Sequence, residues 1–233
     1  MKKSLLFIAA CMLFLNGCAF GIKGSGKVIT EKRQVSTFNG IALECAANVY
    51  FTQGDQESVS IEAEDNIAPI ITTEVKDGKL IIDSKKEYTS TQPVNVHVSV
   101  KELCVVELAG SGNMIGRGAI NCDHMTLSLD GSGDLKMDIR SLGVKMGLSG
   151  SGNLDITGTT TETDVRIEGS GNVNAADLKT SSAAVSITGS GIAKIDARDE
   201  LSVDITGSGN VKFVSQPPKF SKSITGSGTV TKI

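Results

Sequence analysis

Apolar and polar residues alternate along most of the second half of the chain. From Val203 to Phe213, every second residue is apolar or glycine. A period of two is typical of β-strands, whereas helices repeat every 3.6 residues. The alternation continues through Gly207-Ser208-Gly209, so both glycines are predicted to point inward and the serine outward.

The tripeptide Gly-Ser-Gly recurs at steps of 21, 19, 19, 20, 18 and 19 residues, each time two residues after a leucine or isoleucine. A unit of this length cannot bury its apolar row alone, but stacked units can. We therefore predict an all-β fold: a single-chain β-solenoid, or parallel β-helix, with 18–21-residue coils marked by Gly-Ser-Gly. The seven copies occupy residues 110–112, 131–133, 150–152, 169–171, 189–191, 207–209 and 226–228.

Stacked coils would place the motif's polar residues in outward rows. With coils about 4.8 Å apart, seven serines span on the order of 29 Å, and neighbouring asparagines can hydrogen-bond along the axis. The motif is interpreted mainly as the corner of each coil; the alternative is a ladder that also contacts a ligand. The ladder residues are Ser111, Ser132, Ser151, Ser170, Ser190, Ser208, Ser227, Asn113, Asn153, Asn172 and Asn210.

Residues 28–104 show strand patterns without a strict period. Thr72 to Asp83 is typical of a hairpin, because Asp77-Gly78 favours a tight turn. Val94 to Val100 alternates cleanly, and no stretch is typical of a long helix. We predict one continuous solenoid, with irregular coils in residues 28–104 and regular coils in 105–233.

The N-terminus has the pattern of a targeting segment. Lys2 and Lys3 precede a short apolar run, which predicts a signal peptide over residues 1–17. The sequence Leu15-Asn16-Gly17-Cys18 resembles the lipobox of bacterial lipoproteins, which implies acylation of Cys18 and a membrane anchor. Residues 18–27, which include Gly24-Ser25-Gly26, are predicted to form a flexible tether.

The same resemblance implies a bacterial cell-envelope address. Ala19, rather than aspartate, follows Cys18, so the inner-membrane retention signal is not matched and we expect the outer membrane. No acidic cluster of the kind used for surface export follows Cys18. The surface and periplasmic faces therefore both remain open.

Composition argues against several classes of activity. Removal of residues 1–17 leaves 21 basic and 26 acidic side chains, a net charge of −5, which does not favour nucleic-acid binding. The chain has no Trp, only two histidines and no Cys-x-x-Cys, so we expect no metal and no cofactor.

We expect no catalytic residues either, because His97 and His124 fall in different coils and no serine-nucleophile motif is present. Asp196, Arg198, Asp199 and Glu200 are interpreted as a solvated turn, and Tyr88 as the exposed aromatic ring.

Three cysteines remain after Cys18. Cys45, Cys104 and Cys122 allow one disulfide in an oxidising envelope, but burial of all three as small apolar side chains is the favoured interpretation. The last coil has no obvious helical cap. Pro217-Pro218, Lys219 and Lys222 would protect its edge from pairing, and the alternative is a homo-oligomer through the solenoid ends.

Several motifs together resemble a known family. These are Phe38-Asn39-Gly40-Ile41, Gln53-Gly54-Asp55 and Asp77-Gly78-Lys79-Leu80, followed by serial Gly-Ser-Gly-Asn. The chain resembles the autotransporter adhesin "head GIN" domain of Bacteroidota lipoproteins over roughly residues 36–230. The resemblance implies a solenoid-like fold on an envelope lipoprotein, and the family name suggests an adhesin. The long serine and asparagine array favours binding of a repetitive partner, a glycan or a cell-surface protein; the alternative is a periplasm-facing scaffold.

Overall fold

The computed structural model describes residues 21–233, which form an array of twenty β-strands and one short 3₁₀ helix, Ala68–Ile70. The predicted signal peptide 1–17 and Cys18 lie outside the described residues. The strands of the first half are β1 (Ile22–Lys23), β2 (Val28–Arg33), β3 (Gly40–Leu43), β4 (Asn48–Gln53), β5 (Ser58–Glu64), β6 (Ile71–Lys76), β7 (Lys79–Ser84), β8 (Tyr88–Thr89), β9 (Asn95–Val100), β10 (Val105–Gly110) and β11 (Asn113–Asn121). Those of the second half are β12 (His124–Gly131), β13 (Asp134–Arg140), β14 (Gly143–Gly150), β15 (Asn153–Gly169), β16 (Asn172–Gly189), β17 (Ile192–Gly207), β18 (Asn210–Phe213), β19 (Lys219–Gly226) and β20 (Thr229–Lys232).

The strands form two parallel stacks that are joined in every regular coil by Gly-Ser-Gly. The first stack runs β7, β3, β10, β12, β14, the last parts of β15, β16 and β17, and then β19. The second stack runs β9, β4, β11, β13, the first parts of β15, β16 and β17, then β18 and β20. The predicted β-solenoid with Gly-Ser-Gly coils is confirmed.

The core is built from aligned rows of apolar side chains. Leu148 pairs in register with Ile167, Ile167 with Ile187, and Ile187 with Ile205, and all four are buried. Phe213 is also buried, as its inward phase predicts. Each coil thereby covers the apolar row of its neighbour, which is the burial that one coil alone cannot achieve.

The first two coils do not follow chain order. The β3–β4 coil lies between the β7–β9 coil and the β10–β11 coil, although β7 and β9 come later in the chain than β3 and β4. The irregular coils predicted for residues 28–104 thus belong to the same two stacks but are stacked out of chain order. The chain goes outward past its first coil to form the second, and then returns to start the Gly-Ser-Gly coils.

Antiparallel strands close this end of the solenoid. β5 pairs with β9 and β2 with β5, whereas β6 pairs with β7 through a turn at Asp77 (φ 51°) and Gly78 (φ 76°). The predicted Asp-Gly hairpin is therefore present. β5 and β6 cover the parallel edges of β9 and β7, and β2 covers β5, so we call the unit formed by β2, β5 and β6 the cap.

Residues 21–27 lie against the cap, so the flexible tether predicted for residues 18–27 does not describe them. Ile22 and Lys23 pair with Tyr88 and Thr89, and the backbone N–H of Gly24 donates to the carbonyl of Thr89 at 2.9 Å. Between residues 21 and 233, the fold contains no helix with the length and apolar character that a membrane crossing requires.

Candidate functional site

The Gly-Ser-Gly corner needs its first glycine because of backbone conformation. In all seven corners this residue has φ between +113° and +131°, a region that side-chain-bearing residues rarely adopt. A Cβ at Gly169 would also lie 2.6 Å from the carbonyl oxygen of Gly150 in the preceding coil. The first glycine is half-exposed rather than inward as predicted, and it allows close stacking along the axis.

The second glycine makes room for an apolar side chain. Gly171 is buried as predicted, and a Cβ there would overlap the side chain of Leu148 from the preceding coil. Leu148 stands two residues before its own corner, so the regular leucine or isoleucine fills the space that the next coil's glycine leaves. The aliphatic residue and the second glycine of the repeat therefore act as a pair.

The corner serines are exposed and fixed in position by the backbone. In a representative corner, the N–H groups of Ser151 and Gly152 both donate to the carbonyl of Gly131, at 2.9 and 3.0 Å. Within residues 21–233, none of the seven serine hydroxyls makes a hydrogen bond. The corner row, as we call Ser111, Ser132, Ser151, Ser170, Ser190, Ser208 and Ser227, thus presents seven free hydroxyls at one-coil spacing.

The neighbouring asparagines instead bond to one another along the axis. The amide of Asn172 donates to Asn153 at 2.9 Å, and Asn153 donates to Asp134 at 2.7 Å. Asn113 donates to Asn48, at 2.9 Å. At the far end of the ladder, Asn210 accepts a hydrogen bond from Thr229. The predicted axial hydrogen bonding of the ladder is present in the structure.

The ladder extends into the irregular coils, which sequence analysis missed. Asn48 donates to Asn95 at 3.2 Å, one coil further toward the cap. Both residues stand directly before an apolar strand residue, as Asn153 does, and that shared position is the signal that would have found them. The ladder is interrupted at Ile192, which takes the asparagine's place in its coil.

Tyr88 is less exposed than predicted. It is half-buried against the core, its hydroxyl donates to the carbonyl of Ala46 at 2.7 Å, and burial raises its pKa. Tyr50 is also half-buried. It stacks on His97 with centroids 5.4 Å apart, and the Arg117 guanidinium carbon lies 4.4 Å from its centroid. His97 and Arg117 come from the coils on either side, so both ring faces are covered and neither is free to stack on a sugar.

The charged segment predicted as a solvated turn lies in strand β17. Asp196 is buried, with one carboxylate oxygen that has no hydrogen-bond partner, whereas Arg198, Asp199 and Glu200 are exposed. The prediction is therefore wrong for Asp196, whereas the other three residues are exposed where β17 turns the second corner of its coil with a shift in pairing register. Among residues 21–233, no three His, Cys, Asp or Glu side chains converge as a metal site would require.

Cys104 and Cys122 form a disulfide, contrary to the favoured interpretation that all three cysteines are free. Their Cα atoms lie 5.7 Å apart, within the usual range for a disulfide. Their sequence separation of 18 corresponds to one coil, so the bridge joins the start of the first Gly-Ser-Gly coil to its end. Cys45 is free and half-buried.

Comparison with protein families and solved structures gives consistent matches. The family described as "Putative auto-transporter adhesin, head GIN domain" matches residues 37–217. A crystal structure described as a putative adhesin from Bacteroides fragilis is 24% identical, with a TM-score of 0.86 over 91% of this chain and 100% of that one. A search of curated proteins finds no match.

Two further crystal structures come from Parabacteroides. One from P. distasonis, described as a putative lipid binding protein, is 24% identical, with a TM-score of 0.76 over 91% of this chain and 99% of that one. A putative adhesin from P. merdae is 22% identical, with a TM-score of 0.74 over 91% of this chain and 98% of that one. At these identities the structures show a shared fold.

Proposed function

The chain belongs to the auto-transporter adhesin head GIN domain family, and on that premise we propose that it is a cell-envelope lipoprotein whose non-catalytic solenoid binds a repetitive partner on a facing surface. The partner class is a glycan or a cell-surface protein. Family membership supports a binding module of the envelope. The particular surface, the anchor and the orientation are our proposals.

The corner row carries the proposal. Its hydroxyls are exposed, have no partner within residues 21–233 and repeat at every coil. An evenly spaced row complements a polymer or an array better than it complements one small molecule, because each repeat of the partner meets the same group. Each contact would be weak, so affinity would come from the number of corners engaged together.

An anchor at Cys18 would orient the molecule. Ile22 is already paired with Tyr88, and four residues reach at most about 14 Å when extended. The cap would then face the membrane and the Gly-Ser-Gly coils would point away from it. This arrangement supports a binding function, because it presents the corner row beyond the lipid headgroups.

Protease shaving of intact cells tests this orientation. We expect the chain to be cleaved while a known periplasmic protein survives as a leakage control. Protection until the outer membrane is permeabilised would contradict the adhesin proposal. That result would support a periplasm-facing scaffold, which the lack of acidic residues directly after Cys18 favours.

Binding by the corner row is tested with the full-length chain. Ser151→Arg and Ser170→Arg together would place two long cationic side chains in the row, and we expect them to weaken attachment of protein-coated beads to target cells. Asp130→Arg and Thr188→Arg form the matched control, since both residues are exposed and lie outside the row. Equal attachment by the two double variants would contradict a role for the row.

A further inference from the structure

A groove of about 540 Å³ runs along the outer side of the first strand stack. It crosses five coils, from β12 to the last part of β17, and is therefore on the order of 19 Å long. It lies at the beginning of these strands, whereas the corner row lies beyond their end. The groove is lined by His124, Met125, Thr126, Gly143, Val144, Lys145, Glu162, Thr163, Asp164, Ser182, Ala183, Ala184, Glu200 and Ser202.

Small residues alternate with long side chains along the groove. Gly143, Ser182 and Ala184 stand where other coils carry His124, Glu162 or Lys145. The His124 ring lies over Gly143, where a Cβ would come within 2.8 Å of its Nδ1. The groove therefore results from the particular outward residues of these five coils. The Gly-Ser-Gly repeat itself, which all regular coils share, does not create it.

The polar groups of the groove are not paired with one another. Within residues 21–233, the side chains of Lys145, Glu162 and Asp164 form neither an ion pair nor a hydrogen bond. Close by, Arg166 binds Glu168 at 2.8 Å. Thr163 lies between Glu162 and Asp164 on β15, but its side chain is in register with the buried Val144 and Ala183, so its hydroxyl faces the core and not the groove. The exposed and unpaired charges of the groove are available to hydrogen-bond a polar ligand.

The lining chemistry excludes several kinds of occupant. The groove lies on a sheet face whose backbone groups are already paired between coils, so an extended peptide could not add to it as a strand. The exposed large apolar side chains, Val28, Leu142, Phe220 and Ile233, all lie outside it, which argues against a lipid. Glu200 pairs with Lys219, but Glu162 and Asp164 remain unpaired beside a single lysine, which disfavours nucleic acid and acidic sugars.

We propose that this groove binds an extended, unbranched oligosaccharide that carries no acidic groups. Carboxylates, a lysine and hydroxyls along a shallow channel can hydrogen-bond successive sugar hydroxyls without an aromatic platform. This inference rests on the proposed function, because it specifies where the binding module holds a glycan and which chemical class of glycan it takes. The groove would hold the sugar, and the corner row would be the surface that meets a cell-surface protein.

The test uses the full-length chain in detergent. It is titrated with unbranched oligomers of glucose, mannose and N-acetylglucosamine, and with oligogalacturonate as the acidic counterpart. We expect binding to at least one non-acidic oligomer and tenfold or weaker binding to oligogalacturonate. Ala184→Arg fills the groove and is expected to lower that affinity at least tenfold. Thr188→Arg, an equally exposed change four residues along β16, is the matched control and should leave affinity unchanged.

A second variant separates charge from shape. The double variant Glu162→Gln with Asp164→Asn keeps the groove's volume. It should weaken binding of the non-acidic oligomer severalfold while the melting temperature of the protein is unchanged. Binding that is unaffected by Ala184→Arg, or that prefers oligogalacturonate, would overturn the groove proposal. If the chain attaches to cells but binds none of these oligomers, the groove proposal fails while the proposed function stands. If it binds neither cells nor oligomers, both fail.

Discussion

The side-chain amide of Asn172 donates a 2.9 Å hydrogen bond to the side-chain oxygen of Asn153, one coil earlier in the solenoid. Asn153 in turn donates to the side chain of Asp134, one further coil back. Ser151, two residues before Asn153, makes no side-chain hydrogen bond within residues 21–233. Adjacent rows of the same motif therefore differ in purpose: the asparagines join coils to one another, whereas the serines remain available to a partner.

Asn153→Ala is expected to destabilise the protein by about 1 kcal/mol. It removes both axial hydrogen bonds of the residue, but water replaces part of each because the site is exposed. Ser151→Ala is the matched control and should change stability by less than about 0.5 kcal/mol. Urea unfolding followed by circular dichroism measures both. Equal losses for the two variants would show that the axial bonds do not join the coils.

Gly169→Ala is expected to destabilise the protein by about 3 kcal/mol, since positive φ and crowding by Gly150 act together. Gly147→Ala is the control in the same stack. A Cβ there meets only a carbonyl oxygen at 3.9 Å, so this change should be neutral or slightly stabilising. Thermal unfolding of the two variants gives the comparison. A stable Gly169→Ala protein would mean that the corner can relax to another conformation.

Residues 105–233 could be predicted in detail because their repeat is local and strict. The step of the repeat determines the coil length, and the alternation determines which side chains face inward, so the row from Leu148 to Ile205 follows directly. The outward serines and the axial bonds of the asparagines follow from the same register. The free hydroxyls of the corner row could therefore be located from sequence alone.

The cap and the groove could not be predicted, because they depend on contacts between residues far apart in the chain. Nothing local in β3 and β4 indicates that β7 and β9 stack outside them. Tyr88 gave a misleading signal, since its polar neighbours predicted exposure while its ring packs on the core. The groove depends on which coils carry small residues at Gly143, Ser182 and Ala184, a property of alignment between coils rather than of any one of them.

Loss of the disulfide is expected to destabilise the protein by about 3 kcal/mol. The bond closes a loop with a sequence separation of 18, and a cross-link of this length restricts the unfolded chain by about that amount. Cys104→Ala with Cys122→Ala should lower the denaturation midpoint and make it insensitive to dithiothreitol. Cys45→Ala should leave sensitivity to the reductant intact. A wild-type midpoint that dithiothreitol does not change would contradict the bridge.

Cys45 should be unreactive in the folded protein. Burial, aided by the charge of Asp83, raises the pKa of its thiol to about 12 from an ordinary value of 9.0. The folded state holds the thiol proton more tightly than the unfolded state does. The contribution of Cys45 to the free energy of unfolding is therefore present below about pH 9 and is lost as pH rises toward 12. We expect iodoacetamide at pH 8.5 to label Cys45 rapidly only after denaturation, as measured by mass spectrometry. Equal labelling rates in the folded and unfolded states would contradict its burial.

Glu64 fastens the N-terminal segment to the cap. One carboxylate oxygen accepts hydrogen bonds from the Gly26 N–H and the Thr91 hydroxyl, each at 2.6 Å, and the other accepts from the Thr91 N–H at 3.1 Å. The Thr91 hydroxyl, with these backbone donors, holds the pKa of Glu64 below its ordinary value of 4.5. The contribution of Glu64 to stability is therefore present above about pH 4.5 and is lost as pH falls through the lower, folded-state pKa.

Glu64→Gln should detach residues 21–27 at neutral pH, because the amide nitrogen that replaces one oxygen would face an N–H or O–H donor. We expect amide exchange in this segment to accelerate on the order of tenfold, while the coils around Ile167 stay protected. Glu62→Gln, on the same strand but half-exposed and without contact to residues 21–27, is the matched control. In the wild-type protein, the same local loss of protection, measured against the intrinsic exchange rate at each pH, should appear on acidification below pH 4.5, before the solenoid unfolds. Uniform acceleration across the chain would mean that Glu64 stabilises the whole fold. Glu64 would then not act specifically on the attachment of residues 21–27 to the cap.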